Sequence, residues 1–124
     1  MLKGSCLCGA VTWQATGEPG APAVCHCNQC RKQSGHAWAS SYVEDGSLEI
    51  KGDVRWYQSS DKAKRGFCPT CGSALFWEHE DDGFTCFSTG SIDGPTGLRL
   101  RGHIFTADKG DYYEIAASEP QRET

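Results

Sequence analysis

Along this chain apolar and polar positions alternate with period two over short stretches, the rhythm of half-buried strands. Val11, Trp13 and Ala15 alternate with Thr12, Gln14 and Thr16 until Gly17-Glu18-Pro19-Gly20 breaks the run. A second strand is predicted over 37–43, closed by Glu44-Asp45-Gly46. Residues 48–51 and 54–59 read as a hairpin across Gly52-Asp53. Residues 64–67 and 73–78 read as another, with a metal at its tip, Cys68-Pro69-Thr70-Cys71-Gly72. Further strands are predicted over 84–88, after the Glu80-Asp81-Asp82-Gly83 turn, and over 102–106. The one helical stretch, about two turns over 28–34, ends at Gly35. No linker, repeat or low-complexity segment interrupts this pattern. It predicts a single mainly β domain over 1–124, with a core of about 2–117 and a polar tail, 118–124, that frays.

Composition changes the picture in one respect. Fifteen glycines and a hydrophobic content of 38% in 124 residues imply many turns around a core of limited volume. In such a chain a metal cross-link matters. Structural zinc contributes roughly 10–16 kcal/mol of apparent binding free energy in small peptides, comparable to the net stability of a whole domain.

The cysteines supply the ligands. Seven of the eight fall into three clusters, Cys6-x-Cys8, Cys25-x-Cys27-x-x-Cys30 and Cys68-x-x-Cys71. Cys6, Cys8, Cys68 and Cys71 together make enough thiolates to close a tetrahedral zinc site, whereas Cys25, Cys27 and Cys30 leave one position open. Closed four-ligand zinc is structural, and three protein ligands with an exchangeable position are typical of catalysis. The expected cofactors are therefore two zinc ions per chain. Gly9 and Gly72 follow the second cysteine of each pair, where they tolerate positive φ and let backbone N–H groups point at sulfur. A redox reading of Cys68-x-x-Cys71 lacks the βαβ context it needs.

In an extended segment, residues i and i+2 point to the same face. Cys25 and Cys27 can thus approach one ion, and Cys30 closes in from the start of the helix, whose dipole and free N–H groups favour thiolate. His26 should point away from that face. It, His36 and His103 are candidate fourth ligands, set against the ordinary surface or packed role that is the default for them and for His79. Without a fourth protein ligand, water or a substrate thiol takes the place. Cys86 shares a face with Phe84 and reads as a small buried thiol.

Net charge is −4, and thiolate-bound zinc makes the chain more acidic still. That disfavours nucleic acid as a partner, because phosphate contacts need clustered Lys and Arg. The short basic groups Arg31-Lys32, Lys62-Ala63-Lys64-Arg65 and Arg99-Leu100-Arg101 read as solvated faces, although Arg31 and Lys32 also stand where they can attract an acidic substrate. No apolar run approaches 18 residues, so no membrane span is predicted. The first residues do not resemble a signal peptide. Cysteines without an export signal read as metal ligands in the cytoplasm, not as disulfides.

At these residues the chain resembles the family of glutathione-dependent formaldehyde-activating enzymes, which also includes centromere protein V. The matching stretches are Gly4-Ser5-Cys6-Leu7-Cys8-Gly9-Ala10-Val11, the segment from Cys25 to Gly35, and Phe67-Cys68-Pro69-Thr70-Cys71-Gly72-Ser73. His103-Ile104-Phe105 and Tyr112-Tyr113 resemble the family's C-terminal segment. The resemblance implies a β-tent of coiled antiparallel sheets, with structural zinc on Cys6, Cys8, Cys68 and Cys71 and catalytic zinc on Cys25, Cys27 and Cys30. It implies a carbon–sulfur lyase acting on a small thiol or thiol–aldehyde adduct, by family pattern glutathione and formaldehyde. The chain resembles the compact members, without extra segments to embrace a tripeptide. The competing expectation is a non-catalytic zinc module that binds a protein partner, whose central cysteines would recruit a fourth protein ligand.

Overall fold

Strands as short as these bury their apolar faces only by assembling into packed layers. The computed structural model describes residues 1–124 and contains ten strands and one α-helix. In chain order they are β1 (Leu2–Ser5), β2 (Thr12–Ala15), β3 (Ala23–Cys25), α1 (Asn28–Ser34), β4 (Trp38–Glu44) and β5 (Leu48–Lys51). There follow β6 (Arg55–Gln58), β7 (Ala63–Phe67), β8 (Ala74–His79), β9 (Phe84–Ser88) and β10 (Gly102–Ile104). They form a three-stranded sheet, β1-β2-β5, and a seven-stranded sheet, β10-β3-β4-β9-β8-β7-β6. Neighbours pair antiparallel except β10, which runs parallel to β3. The mainly β architecture with a single short helix is as expected.

The main core joins the two sheets. Trp13 and Ala15 of β2 pack in one cluster with Val43, Leu75, Phe76 and Phe87 of the larger sheet, and the Trp13 and Phe87 rings lie 4.4 Å apart. Side chains alternate across a strand, so the next residues along β8 and β9 face the other way. Phe76 pairs with Phe87 on the core side, while Trp77 pairs with Cys86 on the reverse. There a second, smaller cluster forms from Cys25, Cys30, Trp38 and Cys86, with Trp77 packed against it. The larger sheet therefore carries a separate apolar cluster on each face.

Two expectations fail. Residues 48–51 and 54–59 do not form a hairpin. β5 joins β2, with Ile50 opposite Trp13, and β6 joins β7, with Trp56 opposite Gly66. The chain changes sheets at Gly52, whose φ of +99° and approach to Ala10 (an added Cβ would lie 2.1 Å from its carbonyl oxygen) only glycine allows. The polar tail does not fray either. The His103 N–H donates to the Pro120 carbonyl at 2.9 Å, and the Arg122 N–H donates to the His103 carbonyl at 2.9 Å. Backbone pairing along a strand edge needs no apolar side chain, which is why composition misjudged it.

Candidate metal centres

Cys6 and Cys8 lie on the turn that follows β1, a strand the alternation did not predict, and Cys68 and Cys71 on the tip of the expected β7–β8 hairpin. Their four sulfurs lie within 4.8 Å of one another, with Cys6 and Cys68 buried in the main core. The Cys6–Cys8 and Cys8–Cys68 sulfur separations are 3.6 and 3.8 Å. Disulfides need about 2.05 Å, whereas the edge of a tetrahedron with zinc–sulfur bonds of about 2.3 Å is about 3.8 Å. The donor set fits zinc. Gly9 and Gly72 have φ of +82° and +79°, and the Val11 and Cys71 N–H groups donate to the Cys6 and Cys68 sulfurs at 3.3 and 3.5 Å. The Ser73 hydroxyl lies 3.2 Å from the Cys71 sulfur and accepts the Leu7 N–H at 3.0 Å. That hydroxyl is the main reason the Cys71 pKa falls to about 5.

The second centre occupies the reverse face of the larger sheet. β3 delivers Cys25, the turn into α1 delivers Cys27, and the first turn of α1 delivers Cys30. Their sulfurs also converge within 4.8 Å. Cys27 is the N-cap of α1, its sulfur accepting the Cys30 N–H at 3.3 Å, a position that satisfies a free helix donor with a ligand atom. Gly35, at φ +91°, ends the helix by donating to the Arg31 carbonyl at 2.9 Å. Hydrogen bonds from Cys25 and then Cys30 lower the Cys27 pKa, and the same contact with Cys27 raises that of Cys25. These soft donors fit zinc as well, and no fourth side chain joins them.

The four histidines lie elsewhere. His26 is buried and points away from the trio, its Nε2 2.8 Å from His103 Nδ1 and its Nδ1 bonded to the Tyr113 hydroxyl. His103 Nε2 in turn bonds Glu119. Burial, with the nearby His103, His36 and Lys109, lowers the His26 pKa. His36 Nδ1 lies 2.7 Å from the Tyr112 hydroxyl, and His79 sits beside Asp82. Cys86 is buried next to the trio without joining it, and burial pushes its thiol up to about 12.

Arg65 overturns an expectation. Grouped in sequence with the solvated run Lys62-Ala63-Lys64, it is only 5% exposed. Its register opposite Trp77 turns it onto the face that carries the trio. Both terminal nitrogens of its guanidinium donate to the Cys30 sulfur, at 3.5 and 3.6 Å, and Gln29 and Gln33 of α1 accept from Nε and Nη1 at 3.3 and 3.1 Å. The available signal was alternation, with Ala63 and Arg65 on one side of β7.

A groove of about 890 Å³ opens between α1 and β6–β7 and extends to Pro69 and Gly72. Lys32, Arg55 and Arg65 line it with Trp56 and Tyr57, and no acidic residue does, although the chain as a whole is acidic. A cavity of about 500 Å³ elsewhere sets Lys62 and Lys64 against Glu78 and Glu80; no cysteine lines either space, and the groove meets the trio only through Arg65.

The sequence matches the family model described as glutathione-dependent formaldehyde-activating enzyme over residues 1–108. An uncharacterized lyase of Schizosaccharomyces pombe is 29% identical over 116 residues, which span 92% of this chain and 85% of that protein. A Halomonas elongata protein carrying the provisional name glutathione-dependent formaldehyde-activating enzyme is 28% identical over 137 residues, spanning 98% and 85%. A crystal structure of a Rhodobacter sphaeroides protein superposes with a TM-score of 0.65 at 22% identity, over 79% of this chain and 98% of that one, and so shares the fold. Since the family match takes in both cysteine sets and all ten strands, the chain belongs to the glutathione-dependent formaldehyde-activating enzyme family.

Proposed function

We propose that the chain is a zinc-dependent enzyme of the carbon–sulfur lyase class that joins a small thiol to an aldehyde and reverses the reaction. Glutathione and formaldehyde are the first pair to test, because the family and a relative are named for them. The carrying observation is a trio of converged sulfurs, with no fourth side-chain ligand, beside a basic groove. Cys25, Cys27 and Cys30 would hold the working ion and Cys6, Cys8, Cys68 and Cys71 the structural one.

In this reading a bound zinc would supply Lewis acidity that keeps a thiol ionised near neutral pH. The chain's own residues do the rest. Lys32 and Arg55 attract and orient an anionic thiol along the groove, raising its local concentration at the trio. Trp56 and Tyr57 give it an apolar wall. The new bond runs from the thiol sulfur to the aldehyde carbon, the carbonyl π pair becomes the hydroxyl oxygen's, and the thiol proton ends on that oxygen, so no co-reactant is needed. His26, tied to Tyr113 and His103, fixes the backbone between Cys25 and Cys27.

The test is the rate of hemithioacetal formation and breakdown from glutathione and formaldehyde, followed by proton NMR exchange against the uncatalysed background. Acceleration by the wild-type chain that is lost with Cys25→Ser supports the reading. Exchange at the background rate with zinc bound at both sites would remove it, and would favour a non-catalytic zinc module.

A further inference from the structure

A buried guanidinium is always charged and needs a counter-charge, since an unpaired buried ion is costly. Arg65 is buried, yet none of the chain's ion pairs includes it. Its partners are two neutral amide oxygens, from Gln29 and Gln33, and the sulfur of Cys30, which receives both terminal nitrogens. Only the sulfur can carry negative charge. Three thiolates around a divalent cation leave one negative charge, and Arg65 supplies one positive charge on the same face of the sheet. The four-sulfur site has no such cation. Its sulfurs receive backbone N–H groups and the Ser73 hydroxyl, and Cys8 reaches solvent.

We propose that Arg65 is the positioning residue of the trio, fixing the Cys30 sulfur with a two-pronged bond and neutralising the charge of the loaded site. Gln29 and Gln33 hold the guanidinium in that pose from α1, while β7 anchors it from below. Arg65 acts through Cys30, and this role rests on the reading of the trio as a zinc site.

The experiment loads the full-length chain with zinc and follows release to a chromogenic chelator, which separates the two sites by rate. Outer-shell partners of a ligand typically contribute 10–100-fold to metal affinity. Arg65→Gln should therefore speed release from the trio by roughly 10–100-fold and leave release from the four-sulfur site unchanged. Arg65→Lys, which keeps charge but not the fork, should recover part of that loss. In the cobalt-substituted chain, the thiolate-to-metal band of the trio should shift in Arg65→Gln while that of the four-sulfur site stays put. Gln33→Leu, at an exposed position, keeps the guanidinium but removes one of the two amides that hold it; it should give a smaller acceleration of the same phase, and it serves as the test if Arg65→Gln does not fold. Unchanged trio release in Arg65→Gln overturns the role, as does equal acceleration at both sites, which would mark a general loss of structure. A wild-type chain that binds one zinc overturns the trio as a metal site, and the role with it, before any variant is compared.

Discussion

The two cysteine sites share chemistry and differ in everything around it. One has two of its four sulfurs sunk into the main core, where Cys6 and Cys68 pack with Val11, Trp13 and Phe76, and an exposed ligand, Cys8, at its rim. The other lies on the reverse face of the same sheet, in a cluster of four buried residues, beside a groove and a buried cation. The first ties β1 to the β7–β8 hairpin across sixty positions of sequence. The second lies within six positions and closes no long loop. A metal at the first would limit the conformations of the whole chain, and one at the second would order only the turn into α1. The lesson is that ligand number and reach along the chain point the same way, whereas burial does not, since Cys8 is exposed while Cys25 and Cys30 are buried. The set with four sulfurs ties distant segments of the frame together, and the set with three gathers one turn beside a groove.

The largest effect expected from this contrast is Cys68→Ser. Loss of a four-sulfur zinc removes roughly 10–16 kcal/mol of apparent binding free energy, more than most domains hold in reserve, so the far-ultraviolet circular dichroism of the variant should be that of an unfolded chain. A native spectrum would abolish the difference between the sites. Cys27→Ser comes next. Its zinc content should fall from two per chain to one, with the dichroism retained and thiol–aldehyde exchange at background. Simultaneous unfolding would make the trio part of the frame.

The smallest effects compare glycines that serve the two sites. Gly52→Ala drives a methyl group against the Ala10 carbonyl, two residues from Cys8, at a backbone φ of +99°, and should cost about 3 kcal/mol. Gly35→Ala, at the end of α1, has the same kind of φ but meets nothing within 4 Å, and should cost about 1 kcal/mol. Urea unfolding midpoints measure both. Equal costs would show that the region around the four-sulfur site is no more tightly built than the helix beside the trio.

Much of this was legible in the sequence because it rests on short-range spacing. The i and i+3 cysteines of Cys68-Pro69-Thr70-Cys71-Gly72, the i and i+2 pair at Cys25 and Cys27, and the alternation of Phe84, Cys86 and their neighbours each encode local geometry. What stayed hidden depends on contacts between distant segments. Arg65 reads as one more solvated charge until the register with β8 sets it opposite Trp77. Gly52-Asp53 has the composition of a hairpin turn, and only the fit of Ile50 opposite Trp13 and of Trp56 opposite Gly66 sends the two strands to different sheets. The His26–Tyr113 and His103–Glu119 bonds join residues 87 and 16 positions apart, which no periodicity reports.

The pairing of the last residues with β10 has a consequence for behaviour in concentrated solution. A seven-stranded sheet ends in two exposed margins, and an uncovered margin is a template on which another molecule can add its own strand. Pro120 and Arg122 occupy the amide and carbonyl of His103 at one of them, so the segment 120–122 serves as a selvedge. A chain clipped after Ser118 should expose that border and self-associate.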